Sequence, residues 1–130
     1  MRPEDLIEAA KQAMENAYAP YSGYRVGAAL LCADGRVFTG CNVENAAFSP
    51  TICAERTAFA KAVSEGCREF RAIAVCGGKD GRITGIFPPC GVCRQVMAEF
   101  CREDFEVYLA AAQGYECRTL SQLLPEHFDL

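Results

Sequence analysis

One histidine and no tryptophan occur in 130 residues. The lone histidine, His127, stands near the C-terminus, so neither a metal motif of paired histidines nor a Ser-His-Asp site can be assembled within one chain. Proton transfer, if the chain does chemistry, falls to a carboxylate. No apolar run approaches the roughly 18 residues that a membrane span requires. Basic stretches are missing too: 13 Lys and Arg are scattered among 17 Asp and Glu, and the formal net charge is −4 at pH 7. Proteins that hold nucleic acid draw affinity from phosphate contacts and display a basic patch; a small substrate is expected, with no nucleic acid and no membrane as partner. The opening Met1-Arg2-Pro3-Glu4-Asp5-Leu6 lacks the basic-then-apolar layout of an export signal, which makes the cytoplasm the expected compartment.

A chain of this length is expected to form a single domain over 1–130, burying about two-thirds of its unfolded surface without disulfide staples. Its nine cysteines are then expected as reduced thiols, some of them bound to metal. Three fall in a distinctive pair of segments, Cys53-Ala54-Glu55 and Pro89-Cys90-Gly91-Val92-Cys93. A catalytic zinc takes three protein ligands and keeps one position open for water. Cys53, Cys90 and Cys93 supply the ligands, and Glu55, two residues past the first of them, is placed to exchange a proton with that water without ligating the metal. One Zn²⁺ per subunit is expected. The other six cysteines, Cys32, Cys41, Cys67, Cys76, Cys101 and Cys117, contain no second close pair and read as small buried hydrophobes; no second metal site is expected.

Three thiolates around a divalent ion leave a net negative cluster, which opposes ionisation of the bound water. Arg56 and Arg94 directly follow Glu55 and Cys93, and either is a candidate to donate hydrogen bonds to the sulfurs. An ordinary surface arginine is the alternative for each.

The pattern of residues 3–17 predicts an amphipathic helix with Pro3 in its first turn. Residues 25–32 and 36–41 read as a hairpin around Asp34-Gly35. An irregular loop, 42–50, leads to a second helix starting near Thr51 as cap and stopping at Gly66. A strand over 70–76, a turn over 77–81, a helix opening near Gly91 and continuing through Phe100, a strand over 105–110, a short strand over 115–118 and a helical turn over 120–124 complete the chain. The glycines of the 77–81 segment lack the spacing of a phosphate-binding loop. This order implies an α/β fold, a three-layer α/β/α sandwich with a mixed five-stranded sheet.

Five stretches carry a family resemblance: Ala19-Pro20-Tyr21-Ser22, Val26-Gly27-Ala28-Ala29-Leu30, Gly40-Cys41-Asn42-Val43-Glu44-Asn45-Ala46, Cys53-Ala54-Glu55-Arg56-Thr57-Ala58 and Pro89-Cys90-Gly91-Val92-Cys93-Arg94-Gln95. Over nearly its whole length the chain resembles the small, homotetrameric type of cytidine deaminase. The pairing of Cys-x-Glu with Pro-Cys-x-x-Cys is the three-cysteine form of the zinc deaminase pattern. The resemblance implies hydrolytic deamination of cytidine and deoxycytidine in pyrimidine salvage, with Glu55 moving protons to N3 and to the departing amine as water adds at C4. It implies that Asn42 and Glu44 hold ribose hydroxyls, that Val43, Asn45, Ala46, Ala47, Phe48 and Ala54 line the nucleoside pocket, and that Tyr24 packs against the pyrimidine. Tyr24 stands where the family usually has Phe, and Phe48 where it often has Tyr; both keep a ring. Phe128 resembles the aromatic that closes a neighbouring subunit's pocket, which makes a homotetramer the expected assembly.

Within the same fold a deaminase of a nucleoside-like antibiotic such as blasticidin S shares the zinc elements, and a polynucleotide cytosine deaminase is a more distant alternative that the acidic balance disfavours. From other classes, a structural zinc module leaves Glu55 and the Asn42-Glu44 loop unused, and a redox thiol protein leaves Cys53-Ala54-Glu55 a coincidence.

Overall fold

The computed structural model describes residues 1–130. Helix α1 (Pro3–Met14) opens on a proline, whose missing N–H costs nothing there, and on Glu4 and Asp5, which suit the positive helix end. It stops three residues short of the expected Ala17. The cause is tertiary: Tyr18 pairs with the loop after the hairpin, its N–H donating to Asn42 O and its carbonyl accepting from Glu44 N.

Strands β1 (Tyr24–Cys32) and β2 (Val37–Cys41) form the expected antiparallel hairpin. Its turn contains Gly35 at φ +95, a left-handed conformation that side chains resist. The remaining elements are α2 (Ala54–Ser64), β3 (Phe70–Lys79), α3 (Gly91–Phe100), β4 (Glu106–Ala110), β5 (Tyr115–Thr119) and α4 (Leu120–Leu123). The sheet runs β2-β1-β3-β4-β5. Only β3 and β4 pair in parallel, and α3 lies in the crossover between them.

Strand alternation divides the core into two layers. Val26, Ala28, Leu30 and Cys32 of β1, with Ile73 and Val75 of β3, pack with Ala58, Phe59 and Ala62 of α2 and Met97 of α3. On the other face Ala29, Ala72, Ala74 and Cys76 meet Leu6, Ile7, Ala10 and Met14 of α1. The sandwich is thus α1, sheet, then α2 and α3, as expected.

Two boundaries differ from expectation. Strand β3 continues through Gly77 and Gly78 to Lys79, and the turn is Asp80-Gly81, both at positive φ. Both positions are crowded: a Cβ on Gly78 would lie 1.8 Å from Arg82 O, and one on Gly77 would lie 3.0 Å from Val26 Cγ2 and 3.1 Å from Phe87 Cγ. Helix α2 starts at Ala54 with Cys53, not Thr51, as its cap. Thr51 Oγ1 instead accepts from Asn45 N and closes the preceding loop.

Two glycines set how closely the helices approach the sheet. A Cβ on Gly27 would lie 2.1 Å from Ala10 O of α1, and one on Gly40 would lie 2.5 Å from Ala54 O of α2. Gly27→Ala and Gly40→Ala are each expected to cost roughly 1–3 kcal/mol through overpacking, read as a lowered Tm in thermal denaturation. Gly40→Ala is also expected to lower zinc content, because it pushes on the turn that carries Cys53. Equal zinc content in the two variants would disprove the link.

Candidate active site

Two helix N-termini converge. Cys53 caps α2, Cys90 caps α3, and Cys93 lies in the first turn of α3. Neither capping cysteine bonds back to its own helix, so the sulfurs stay available for another partner while first-turn N–H groups bathe them in positive potential. The Sγ of Cys90 lies 3.7 Å from that of Cys53 and 3.6 Å from that of Cys93. All three fall within 4.8 Å of one another. Tetrahedral zinc with Zn–S bonds of about 2.3 Å separates its sulfurs by about 3.8 Å, so this trio fits the ion.

Charge is shared unevenly among the sulfurs. Hydrogen bonding from Cys93, then from Arg56 and Cys90, brings the Cys53 thiol down to about 5 against the burial that opposes it. The same contact with Cys53, reinforced by burial and by Glu55, pushes Cys93 up. Cys53 and Cys93 titrate as a pair, and binding of a metal expels the protons that the sulfurs still hold.

Glu55 is only 4% exposed. Burial, with a smaller contribution from the Cys53 charge, pushes its carboxyl up to about 7. A carboxyl poised near neutrality can both take and return a proton. Arg56 Nη2 donates to Cys53 Sγ at 3.4 Å, as expected of one of the two candidate arginines. Its Nε is buried without a partner. Arg94 does something else: its Nε donates to Pro89 O at 2.8 Å and its Nη1 to Leu123 O at 2.7 Å. It ties the Cys90 loop to the end of α4 and reaches no sulfur.

Beside the sulfurs opens a cavity of about 210 Å³. Cys53, Ala54, Glu55 and Cys90 form part of its wall, with Tyr24, Asn42 and Glu44 also on the lining. The Asn42 amide is spent partly on the fold, since Oδ1 accepts from Val26 N and Nδ2 donates to Tyr24 O. One N–H and one lone pair remain for a ligand. Glu44 accepts from Tyr21 N, Ser22 N and Ser22 Oγ. Those bonds, the Ser22 hydroxyl foremost, hold it below the usual carboxylate range.

Known proteins match this arrangement over almost the whole chain. Residues 1–109 fit the family model described as the cytidine and deoxycytidylate deaminase zinc-binding region. The chain belongs to that family. It is 52% identical over 129 residues to a cytidine deaminase of Sporosarcina psychrophila, covering 98% of this chain and 92% of that one. A crystal structure of cytidine deaminase from Burkholderia pseudomallei superposes with a TM-score of 0.91 at 50% identity, over 98% of this chain and 100% of the other. The cytidine deaminase of Mycobacterium tuberculosis gives a TM-score of 0.85 at 38% identity, over 100% and 99%. Zinc is the family's metal, and Cys53, Cys90 and Cys93 are the residues that fit it here.

Of the residues expected around a nucleoside, Asn45 and Phe48 line an adjoining depression with Tyr21, Ser22, Glu44 and Thr51. Val43, Ala46, Ala47 and Phe128 line neither opening of this chain. Val43 is held by backbone pairing to Ile52, and Phe128 is 67% exposed with its carbonyl accepting from Gln95 Nε2. Sequence reasoning missed Val26, Ile52, Phe87 and Pro88 on the main wall. Pro88 had a signal in its place next to Pro89-Cys90, and Val26 headed a stretch already singled out. Ser22, inside a stretch already singled out, acquires its importance from Glu44.

Arg56→Ala is expected to leave the fold intact and weaken zinc retention roughly 10–100-fold, measured by competition with a chromogenic chelator. Unchanged retention would mean that the 3.4 Å contact with Cys53 does nothing for the metal.

Proposed function

We propose that this chain is a zinc-dependent hydrolase that converts cytidine and deoxycytidine to uridine and deoxyuridine plus ammonia, with Glu55 as the proton carrier. The observation that carries this reading is the buried Glu55 carboxyl, raised to about 7, in the wall of the same cavity as Cys53 and Cys90. When bound there, zinc supplies the Lewis acidity that makes water a competent nucleophile near neutral pH. Glu55 accepts the proton that water gives up as its oxygen bonds to C4 of the pyrimidine. The same carboxyl delivers protons to N3 and to the amine, and the C4–N bond breaks as ammonia leaves. Arg56 offsets the negative charge of the sulfurs while this happens.

Asn42 and Glu44 hold the sugar. Glu44 is fixed by three donors and keeps lone-pair capacity for a hydroxyl, and a polar site discriminates best against analogues that lack its partner. Tyr24, whose ring lies 6.0 Å from that of Phe87, offers an apolar face to the base. Ala54, at the cap turn, lets the base approach closely. A single domain, 1–130, carries all of this.

The assembly is a homotetramer. Tyr21, Tyr24, Phe48 and Phe128 leave exposed aromatic surface, the kind of surface that an assembly covers. In the assembly Phe128 closes a neighbouring subunit's pocket, while Val43, Asn45, Ala46, Ala47 and Phe48 line the nucleoside pocket. No helix is long and apolar enough to cross a membrane, and nine free thiols suit the reducing cytoplasm. Sedimentation velocity is expected to give four chains per particle; a single-chain mass overturns the assembly.

Ammonia release over cytidine, deoxycytidine and cytosine tests the reaction itself. Glu55→Gln is expected to keep zinc and lose kcat by about 10²–10⁴-fold; near-normal turnover would remove Glu55 from its role. Glu44→Ala is expected to lower kcat/KM for cytidine roughly 30-fold, about 2 kcal/mol for one lost charged hydrogen bond, while leaving free cytosine unaffected.

A further inference from the structure

Far along the sequence from any zinc ligand, the fold assembles a second pair of cysteines. Cys32 ends β1, and Cys67 follows the glycine that stops α2. Nothing in their spacing announces the pairing, and both were expected to be inert. Yet the sulfurs of Cys32 and Cys67 and a carboxylate oxygen of Asp34 lie within 4.8 Å of one another.

The backbone makes this arrangement stiff. Cys32 N donates to Arg36 O, Ala33 N to Glu69 O, and Cys67 N to Ala62 O. Strand pairing also shifts register between Leu31 and Cys32, so that Cys32 lies opposite Phe70. Across this frame reaches Arg36, whose Nη2 donates to Cys67 Sγ at 2.8 Å while its Nε donates to Asp34 Oδ2 at 2.9 Å. A thiol serving only as core filler has no use for a guanidinium. Both cysteines are buried, but both line a surface cavity of about 290 Å³ whose lining also includes Asp34, Arg36, Arg68 and Glu69.

A metal ion is the less favoured occupant, because Arg36 already places a fixed positive charge on the sulfur and the carboxylate. The guanidinium singles out Cys67, holding its Sγ in a fixed position beside the cavity. We propose that Cys32 and Cys67 are a redox-active thiol pair whose substrate is a small hydroperoxide, with Cys67 as the attacking sulfur and Cys32 as the resolving one. Cys67 thiolate attacks the peroxide: an S–O bond forms, the O–O bond breaks, and the distal oxygen leaves as water or alcohol after taking up a proton. Cys32 then attacks the sulfenic sulfur. An S–S bond forms, the S–OH bond breaks, and hydroxide leaves with the Cys32 proton as water. The two thiols lose two electrons and the peroxide gains them. Burial and the neighbouring Cys67 keep the Cys32 thiol up at about 12, in keeping with its acting second.

The test uses the zinc-loaded enzyme, treated with limiting hydrogen peroxide, alkylated after denaturation, digested without reductant and read by mass spectrometry. The expected product is a Cys32–Cys67 cross-linked peptide formed before oxidation of Cys101 or Cys117. In Cys32→Ser the cross-link is absent and Cys67 is captured by dimedone. Arg36→Gln, which removes the charged donor to Cys67 Sγ, slows cross-linking about tenfold, the size of one lost charged hydrogen bond. Wild-type protein that yields no such peptide, or that oxidises Cys117 or the zinc cysteines first, overturns the proposal. So does a second equivalent of zinc or cadmium that binds wild type and is lost in both Cys32→Ser and Cys67→Ser.

Discussion

Three sulfurs within 4.8 Å of one another would repel if all were ionised and unpaired, and the architecture around them answers that repulsion. Two helices point their N-termini at the cluster, and the cysteines sit at the cap and first-turn positions where free N–H groups are densest. Arg56 contributes a full positive charge at 3.4 Å from Cys53. Before metal arrives, the contact between Cys53 and Cys93 lowers the first thiol and raises the second, so that ionisation of one opposes ionisation of the other. A divalent ion removes that opposition. The geometry needed for zinc is therefore held by helix ends and an arginine that would be in place without it.

The same constraint explains the position of Glu55. It is the second residue of α2, directly after the turn that Cys53 caps, and it is buried, where water no longer supports its charge. Its carboxyl rises to about 7 for that reason first, and for the nearby thiolate second. A metal-fitting cysteine and a buried carboxyl two residues apart on one helix turn thus come as a unit: the turn that positions the sulfur also tunes the acid. Gly40 extends this dependence to the sheet, since its missing Cβ lets β2 lie against the Ala54 carbonyl.

Legibility from sequence followed the range of the interaction. The zinc cysteines were readable because their motif spacing is set by a helical first turn, a local geometry. The layered α/β order followed from apolar periodicity, and the strand alternation of β1 and β3 matches it. Boundaries failed where distant backbone intervened: α1 ended early because Tyr18 pairs with Asn42 and Glu44, and Gly77-Gly78 is strand because it pairs with Val26 and Arg25 of β1. Adjacency in sequence also made Arg56 and Arg94 look equivalent, yet α2 brings the first to a sulfur while Arg94 is drawn to Pro89 and Leu123.

What the sequence by itself determined is the chemistry: three thiols, a carboxylate at ligand-plus-two, and too few histidines for another catalyst. Residue type and short spacing suffice for that, because ligand number and proton affinity are properties of side chains on a single turn. Only the tertiary structure decided which groups share a space. It built a cavity wall from Phe87, Pro88 and Val26, fastened Glu44 to Ser22, and joined Cys32 to Cys67 beneath Arg36. Those contacts arise from strand register and helix docking, where a shift of one residue exchanges every partner.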